Sequence, residues 1–290
     1  MLKPTEDTIR SLVLLLHDWR FLRRDQLVAL LVMEDAEAML TLDKLAADGV
    51  IQCIAHVAAS GVSQPVYALA RRGADLAASM LGIDRAGLSP AIQRSSTRLL
   101  FLEHKLRIND IRLAFVIAGR DRIQHTLLSW RYEREIADRI QHPRRPGVWL
   151  PVRPDGYLVY QAAGRRMDAF VEADLGTVTN LRWRIRVEAY VAYRLSGSFC
   201  NRYGVPSFRV LTVTTTRRRL LNLARATEKA GGRSMFWFAT WDDLAAHSPL
   251  SSIWSVAGCS VASAMREKRG SSSRGPPGSS DPACTPRGAE

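Results

Sequence analysis

The order of helical and extended patterns between residues 97 and 240 is the feature that most constrains the fold. Apolar residues three and four positions apart predict helices over residues 97–118, 180–194 and 217–229. Short runs of apolar, β-branched and aromatic residues predict strands at 127–135, 152–160, 168–175, 208–214 and 235–240. This alternation predicts an α/β domain in which a mixed sheet is flanked by helices.

The N-terminal residues follow a different order. Helices are predicted over residues 6–17, within RRDQLVALLV and over residues 35–47. VIQCIAHV and PVYALA then predict a hairpin, which a closing helix over residues 72–80 follows. The residues expected to face inward in the third helix are Ala36, Met39, Leu40 and Leu45. Three helices, a hairpin and a closing helix are the order of an α+β winged-helix-type module.

These patterns divide the chain into segments. We predict a winged-helix-type module over residues 1–88, a linker over 89–96 and a basic α/β domain over 97–254. Residues 255–290 are rich in Ser, Gly, Pro and Arg and hold too little apolar material to fold, which predicts a disordered tail.

The net charge of +13 is distributed unevenly and points to a polyanionic partner. Residues 1–89 contain nine basic and eleven acidic side chains, whereas residues 90–254 carry the whole excess of +13. Nearly all of the basic residues are arginine, which suits bidentate phosphate contacts. Arginine-rich composition is equally typical of a GC-rich genome.

Other classes of protein find little support. The four cysteines lie far apart without a CxxC or Cys/His spacing, which argues against a structural zinc site. No apolar run approaches a membrane span or a signal peptide, so we expect a cytoplasmic protein with no membrane partner. No glycine-rich nucleotide-binding motif occurs.

The segments RPDGYLVY, QAAGRR and MDAFVEADLGT read as a hairpin with clustered carboxylates. A turn between Ala163 and Gly164 makes the numbers of paired residues sum to 327, so Asp155 lies opposite Glu172, with Cβ atoms about 5 Å apart. Asp174 shares the face of Glu172. Facing like charges need a divalent cation, an arginine or a raised carboxyl pKa as compensation. Clustered carboxylates are ligands for Mg²⁺, which activates water in phosphodiester cleavage.

Further carboxylates fall within the apolar stripe of the helix over residues 97–118. Leu99, Leu106, Leu113 and Ile117 define that stripe. Glu103 and Asp110 lie within it rather than on a polar face. A carboxylate that points inward needs a partner. That partner is either a shared metal ion or one of the many arginines.

Several segments resemble the replication-relaxation family of plasmid- and mobile-element-encoded bacterial proteins. They are LEHKLRINDIRLA, RPDGYLVY, FVEADLGTVTNLRWRIRVEAYVAY, FRVLTVTTTRRRLLNL, RFLRRDQLVALL, LDKLAADGVI and VYALARRGADLA. The resemblance spans about residues 8–254. It implies a role in plasmid replication or DNA relaxation.

The second domain is also similar to the PD-(D/E)xK nucleases, whose core is the restriction-endonuclease-like mixed sheet flanked by helices. Asp155 stands at the PD position, Glu172 and Asp174 at the (D/E)xK position, and Glu103 matches the acidic residue of the first core helix. This similarity implies a catalytic set of Asp155, Glu172, Asp174, Glu103 and Arg186, with Mg²⁺ held by Asp155 and Glu172. Asp174 replaces the usual lysine, and the hairpin register pairs it with Arg153, so an inactive nuclease fold that only holds DNA is the alternative.

DNA is the expected partner, with a replication or relaxase protein and a second copy of the chain as further partners. The third helix carries mostly acidic residues, which repel phosphate. Two interpretations of the module therefore stay open: it contacts DNA, or it packs on a protein partner or on a second copy of the chain. Arg71 and Arg72, at the base of the wing, are its best phosphate contacts. The residues predicted to contact DNA are Arg23, Arg24, Lys44, Arg71, Arg72 and Arg182.

Overall fold

The structure, a computed structural model, describes residues 5–57, 63–84, 97–120 and 122–259. The chain divides into two compact units, Met1–Leu113 and Ala114–Glu290. The division falls inside the helix α5 (Thr97–Arg120), whereas the sequence placed the change of domain at a linker over residues 89–96. That linker lies outside the described residues.

The first unit contains three helices, a hairpin and a closing helix in the order that the sequence predicts. Its described elements are α1 (Glu6–Trp19), β1 (Leu22–Arg23), α2 (Arg24–Leu31), α3 (Asp35–Ala47), β2 (Ile51–Val57), β3 (Ser63–Leu69), α4 (Arg71–Leu81) and the start of α5. The strands form an antiparallel sheet in the order β1-β3-β2. The short strand β1, which the sequence did not reveal, pairs with Val66 and Tyr67.

Helix α3 is rotated relative to the expectation. Its buried residues are Ala38, Thr41, Leu42 and Leu45. Ala36 is exposed, and Met39 and Leu40 are 44% and 51% exposed, so the predicted inward stripe is wrong except at Leu45. Ala38 and Leu45 are seven residues apart and therefore lie on one face of the helix, which is the face that packs.

The first turns of α5 belong to the first unit. Leu102 and Leu106 pack with Phe21, Val66 and Ala68 in one buried cluster. The buried amide of Asn109 donates to the carbonyl oxygens of Trp19 and Phe21, at 3.1 and 2.6 Å. These bonds satisfy the backbone where α1 ends, and they explain why the division of the chain comes after this part of α5.

The second unit is a mixed α/β fold with a six-stranded mixed sheet flanked by helices. Its elements are β4 (His125–Tyr132), α6 (Glu133–Ile136), β5 (Asp138–Gln141), β6 (Trp149–Val152), β7 (Gly156–Ala162), β8 (Arg165–Ala173), α7 (Asn180–Leu195), α8 (Ser198–Tyr203), β9 (Arg209–Thr214), α9 (Arg217–Lys229), β10 (Phe236–Thr240), α10 (Trp241–Ala246) and β11 (Ser255–Val256). The sheet order is β11-β10-β9-β8-β7-β4. Strands β8, β9 and β10 are parallel, and β4, β7 and β8 are antiparallel neighbours.

The predicted strand over residues 152–160 is two strands. Val152 ends β6, which pairs with β5 in a separate two-stranded sheet, and Gly156 begins β7 in the main sheet. Pro154 lies between them and has no amide hydrogen for a ladder bond, which favours a break at this point. The β5–β6 hairpin was not predicted from the sequence.

The hairpin of β7 and β8 has the predicted register. Gly156 pairs with Val171 and Ala162 pairs with Arg165, so paired numbers sum to 327 as expected. Ala163 and Gly164 have φ angles of 46° and 79°. Two consecutive left-handed residues form the type of turn whose twist matches the flanking strands.

The core of the second unit lies on one face of the sheet, beneath α7 and α9. Phe170 occupies its centre, with ring centroids of Phe208 and Tyr190 at 4.8 and 5.5 Å. At the edge of the sheet, β11 pairs with β10 and Ala257 is buried. The predicted start of a disordered tail at residue 255 is therefore wrong, because Ser255 and Val256 extend the sheet. Residues from 260 onward lie outside the described part of the chain.

Candidate functional site

Three carboxylates lie at even-numbered positions on β8 or directly after its end. Asp168, Glu172 and Asp174 are 6%, 1% and 4% exposed. They share the face of Phe170, because alternate residues of a strand point to the same side. Buried carboxylates are costly unless they are paired, so their partners decide what this cluster can do.

Glu172 is held by two side chains of α7. Arg186 Nη1 donates to Oε2 at 2.5 Å, and the Tyr190 hydroxyl donates to Oε1 at 2.5 Å. The charge of Glu172 raises the pKa of Arg186 above its ordinary value. Burial, and then the charge of Glu172, raise the pKa of the Tyr190 hydroxyl. Both groups therefore remain donors to this carboxylate at neutral pH.

Asp174 is held from α9. Arg219 donates to both of its oxygens, Nε at 2.9 Å and Nη2 at 3.0 Å, and the Thr214 hydroxyl donates at 2.6 Å. Arg219 Nη2 also donates to the carbonyl oxygen of Val178 at 2.5 Å. The predicted pairing of Asp174 with Arg153 is wrong, because the β7–β8 ladder begins only at Gly156, and Arg153, which precedes it, is exposed.

Two further carboxylates of the second unit have partners of the same kind. Asp168 accepts from Arg166 Nε at 2.7 Å and from the Tyr157 hydroxyl. Asp138 of β5 accepts from the Tyr193 hydroxyl at 2.6 Å and from Arg202 at 2.9 Å. Each carboxylate is thus bound by one arginine and one hydroxyl, which neutralises its charge and occupies its lone pairs.

Asp155 lies just before β7, and continuing the β7–β8 register places it opposite Glu172, as predicted. It is 7% exposed, and its Oδ2 accepts from the amide of Ala173 at 2.9 Å. Its own amide donates to the carbonyl oxygen of Val171 at 3.0 Å. Asp155 therefore caps the end of the ladder between the two strands.

The residues as arranged do not fit the predicted Mg²⁺ site. Both oxygens of Glu172 already accept short bonds from Arg186 and Tyr190, whereas a hard cation needs carboxylate oxygens that face it. Within residues 5–57, 63–84, 97–120 and 122–259, no three or more His, Cys, Asp or Glu side chains are grouped to hold a metal ion. The catalytic assignment of these residues stays a prediction.

The carboxylates of α5 have arginine partners in the first unit. Glu103 accepts from Arg107 at 3.1 Å, one turn away. Asp110 accepts from Arg23 at 2.6 Å and from Gln26 at 2.7 Å. The sequence left open whether an inward carboxylate binds a metal ion or an arginine, and the structure shows an arginine partner for each. The apolar stripe is only partly as predicted, since Leu106 is buried but Ile117 is 41% exposed.

The arginines and lysine predicted to contact DNA differ in their surroundings. Arg23 is committed to Asp110: burial opposes its charge, but the carboxylate outweighs it and raises its pKa. Arg24 pairs with Asp35 at 3.1 Å. Arg72 is exposed and donates to the carbonyl oxygen of Asp48 at 3.2 Å. The remaining predicted contacts, all exposed, are Lys44, Arg71 and Arg182.

The N-termini of α7 and α9 carry arginines where most helices carry acids. Neither first turn has an acidic residue, and threonines cap both helices. Because β8 and β9 are parallel, the helices that follow them begin at the same edge of the sheet. Arg182 and Arg218 are exposed there. A positive helix end with added cations is a favourable place for phosphate.

The β5–β6 hairpin is a second basic surface, which the sequence reading missed. Arg144 and Arg145 are exposed in its connection, and Trp149 is 53% exposed beneath the guanidinium of Arg139, 4.9 Å from the ring centroid. Arginines beside an exposed aromatic ring suit nucleic acid, because the ring can stack on bases. The signal available in the sequence was the basic HPRRPG turn followed by a tryptophan.

A family model described as replication-relaxation matches residues 14–207 of this 290-residue chain, about two thirds of its length. No curated protein and no solved structure matches the chain. Every helix in the described part of the chain is too short or too polar to cross a bilayer.

Proposed function

The chain belongs to the replication-relaxation family, and we propose that it is a DNA-binding protein that acts in the replication of plasmids or mobile elements. The basic second unit holds DNA by its phosphates and does not cut it. Family membership supports the biological role, and the charge distribution of the second unit supports DNA as the ligand.

The observation that carries the proposal is the separation of charge between the inside and the outside of the second unit. Residues 114–254 contain twenty-two basic and twelve acidic side chains. Of the acidic ones that the structure describes, four are buried, namely Asp155, Asp168, Glu172 and Asp174. Most of the arginines are exposed. Arg166, Arg186 and Arg219 pair with three of these carboxylates, so the positive excess that remains lies on the exposed arginines.

Two surfaces are suited to phosphate contacts. The first is the sheet edge where α7 and α9 begin, with Arg182 and Arg218. The second is the β5–β6 hairpin, with Arg144, Arg145 and the exposed Trp149. Phosphate contacts of this kind position DNA without reading its sequence.

The first unit has the element order of a winged helix, and in this proposal it serves a protein partner or a second copy of the chain. Its exposed α3 surface combines Glu37 and Asp43 with Met39 and Leu40. Acidic residues repel phosphate, and an apolar surface with a polar rim is typical of protein contacts.

The proposal is tested by titrating labelled duplex DNA with the whole 290-residue chain at several salt concentrations. We expect the logarithm of the binding constant to fall linearly with the logarithm of the salt concentration. Binding that is absent at low salt, or that does not depend on salt, contradicts the proposal.

A second candidate function is metal-dependent DNA cleavage. The antiparallel β4-β7-β8 arrangement, with β9 parallel to β8 and Asp155 opposite Glu172, favours a nuclease-like core. Supercoiled plasmid incubated with the protein and Mg²⁺ or Mn²⁺ separates the two functions. We expect unchanged topology; nicking that disappears in both Asp155→Ala and Glu172→Ala supports the nuclease instead.

A further inference from the structure

A cavity of about 370 Å³ opens in the second unit, at the edge of the sheet where β8 and β9 begin. It is at the opposite end of these strands from the N-termini of α7 and α9. Its volume lies in the range of roughly 300–1,000 Å³ that small-molecule sites occupy. Three arginines and two serines line it, namely Arg166, Arg194, Arg209, Ser207 and Ser234.

Arg209 is the residue that points to a ligand. Its guanidinium is half-buried and stacks on Trp237, 4.5 Å from the ring centroid. Burial lowers its pKa. Whereas Arg166, Arg186 and Arg219 each bind a carboxylate, no carboxylate pairs with Arg209 among the residues that the structure describes. A half-buried charge without a counterion is costly, and a bound anion removes that cost.

The charges that face the cavity favour an anion. Asp168 is the carboxylate in the lining, and it is already bound by Arg166 and the Tyr157 hydroxyl. Arg194, in the last turn of α7, and Arg209 supply the remaining positive charge. Guanidinium groups bind phosphate oxygens in pairs, and serine hydroxyls complete such a site.

We propose that this cavity binds a phosphate group, carried by a nucleotide or by the end of a DNA strand, between Arg194 and Arg209. The site goes beyond the proposed function, because holding DNA by its outer phosphates requires no cavity. The apolar part of the lining, which includes Met167 and Met235, leaves room for the group that carries the phosphate.

Calorimetric titration of the whole 290-residue chain with inorganic phosphate and with dAMP tests the site. We expect saturable binding that is at least tenfold weaker in Arg209→Gln and in Arg194→Gln, and unchanged in Arg225→Gln, an exposed arginine of α9 outside the cavity. Circular dichroism checks the fold of each variant. No ring among the described residues stacks on Arg194, so its variant keeps the test valid if Arg209→Gln unfolds.

Competition distinguishes the two sources of phosphate. A 5′-phosphorylated oligonucleotide that displaces dAMP, when its 5′-hydroxyl counterpart does not, assigns the site to a DNA end. Binding of dAMP without competition assigns it to a free nucleotide. The proposal is overturned if none of the phosphates binds saturably, or if the Arg194→Gln/Arg209→Gln double variant binds as tightly as the native protein. Binding of plasmid DNA to the same variants, measured in parallel, tests the proposed function separately.

Discussion

At the residue scale, pairing with arginine and a hydroxyl explains how the second unit tolerates carboxylates in its interior. Removing a carboxylate from water is expensive, and only a close cation with additional hydrogen bonds offsets that cost. Arg186 and Tyr190 are four residues apart on α7, so one helix face presents both donors to Glu172. The cluster therefore stabilises the docking of α7 on β8.

The two partners of this ion pair should differ in their effect on stability. Glu172 is 1% exposed but the side chain of Arg186 is 39% exposed. Arg186→Gln leaves a buried carboxylate without its cation and should cost about 3 kcal/mol or more. Glu172→Gln leaves an arginine that can reach water and should cost about 1–2 kcal/mol. Urea unfolding at pH 7 measures both losses.

The exposed Arg182 on the same helix provides the control, and Arg182→Gln should change the free energy of unfolding by less than about 0.5 kcal/mol. A contrary outcome is clear. If Asp155 and Glu172 were uncompensated metal ligands, Glu172→Gln would remove repulsion and make the metal-free protein more stable.

Asp138 should make stability depend on pH in the acidic range. Burial acts to raise its pKa, but hydrogen bonds from Tyr193, from the amide of Arg139 and from Arg202 outweigh burial and lower it. A lowered pKa stabilises the fold above the ordinary aspartate value of about 4, and this contribution is lost as the pH falls through the folded-state pKa. Asp138→Asn should therefore be less stable at neutral pH, and the difference should shrink in acid.

Urea unfolding of the native protein and of Asp138→Asn from pH 7 to pH 3 measures this dependence. A gap in unfolding free energy that stays constant below the ordinary aspartate pKa contradicts the role assigned to these hydrogen bonds.

At the element scale, the β5–β6 hairpin has one apolar face that packs inward and one polar face that forms a basic surface. Leu150 and Val152 are buried, whereas Trp149 and Arg139 alternate with the inward residues and face outward. The two-residue period of a strand places them on the outer face, and packing of the inner face on α7 holds them there.

Changing the hairpin connection should weaken DNA binding by removing phosphate contacts. We expect Arg144→Gln/Arg145→Gln to reduce the slope of log binding constant against log salt by about 2, one for each lost contact. Filter-binding titrations at several salt concentrations measure this slope. Arg225→Gln, which removes one charge, is the control, and half the change of slope in that variant points to a general effect of net charge.

At the scale of the whole molecule, the two units differ in electrostatic character. The first unit, residues 1–113, holds fourteen basic and thirteen acidic side chains, whereas residues 114–254 hold ten more basic than acidic ones. Phosphate is therefore attracted to the second unit more strongly than to the first.

DNA affinity should therefore depend on arginines of the second unit more than on those of the first. At constant salt, Arg182→Gln/Arg218→Gln should lower the affinity for duplex DNA on the order of tenfold. Arg71→Gln/Arg72→Gln, which removes the same charge from the first unit, should lower it by less. Equal losses of affinity in the two double variants, or a larger loss in Arg71→Gln/Arg72→Gln, contradict this prediction and indicate that the first unit also contacts DNA.

Several features of the site could be predicted because they depend on local rules. The β7–β8 register followed from a turn at Ala163 and Gly164 and from the two-residue period of the strands. The partners of Glu172 and Asp174 could not, since Arg186 and Arg219 follow them by 14 and 45 residues. Their pairing depends on how α7 and α9 dock, which no local pattern records.

The sequence by itself determined the succession of helices and strands, the hairpin register and the concentration of positive charge in the middle of the chain. These features arise from periodicity, turn chemistry and composition, all of which act over short stretches of chain. Tertiary structure alone decided that Glu172 and Asp174 meet arginines of α7 and α9, that Trp149 faces outward and that Arg209 lacks a carboxylate within the described residues. The physical reason is that charge compensation is set by side chains brought together from distant segments, and burial makes that compensation obligatory.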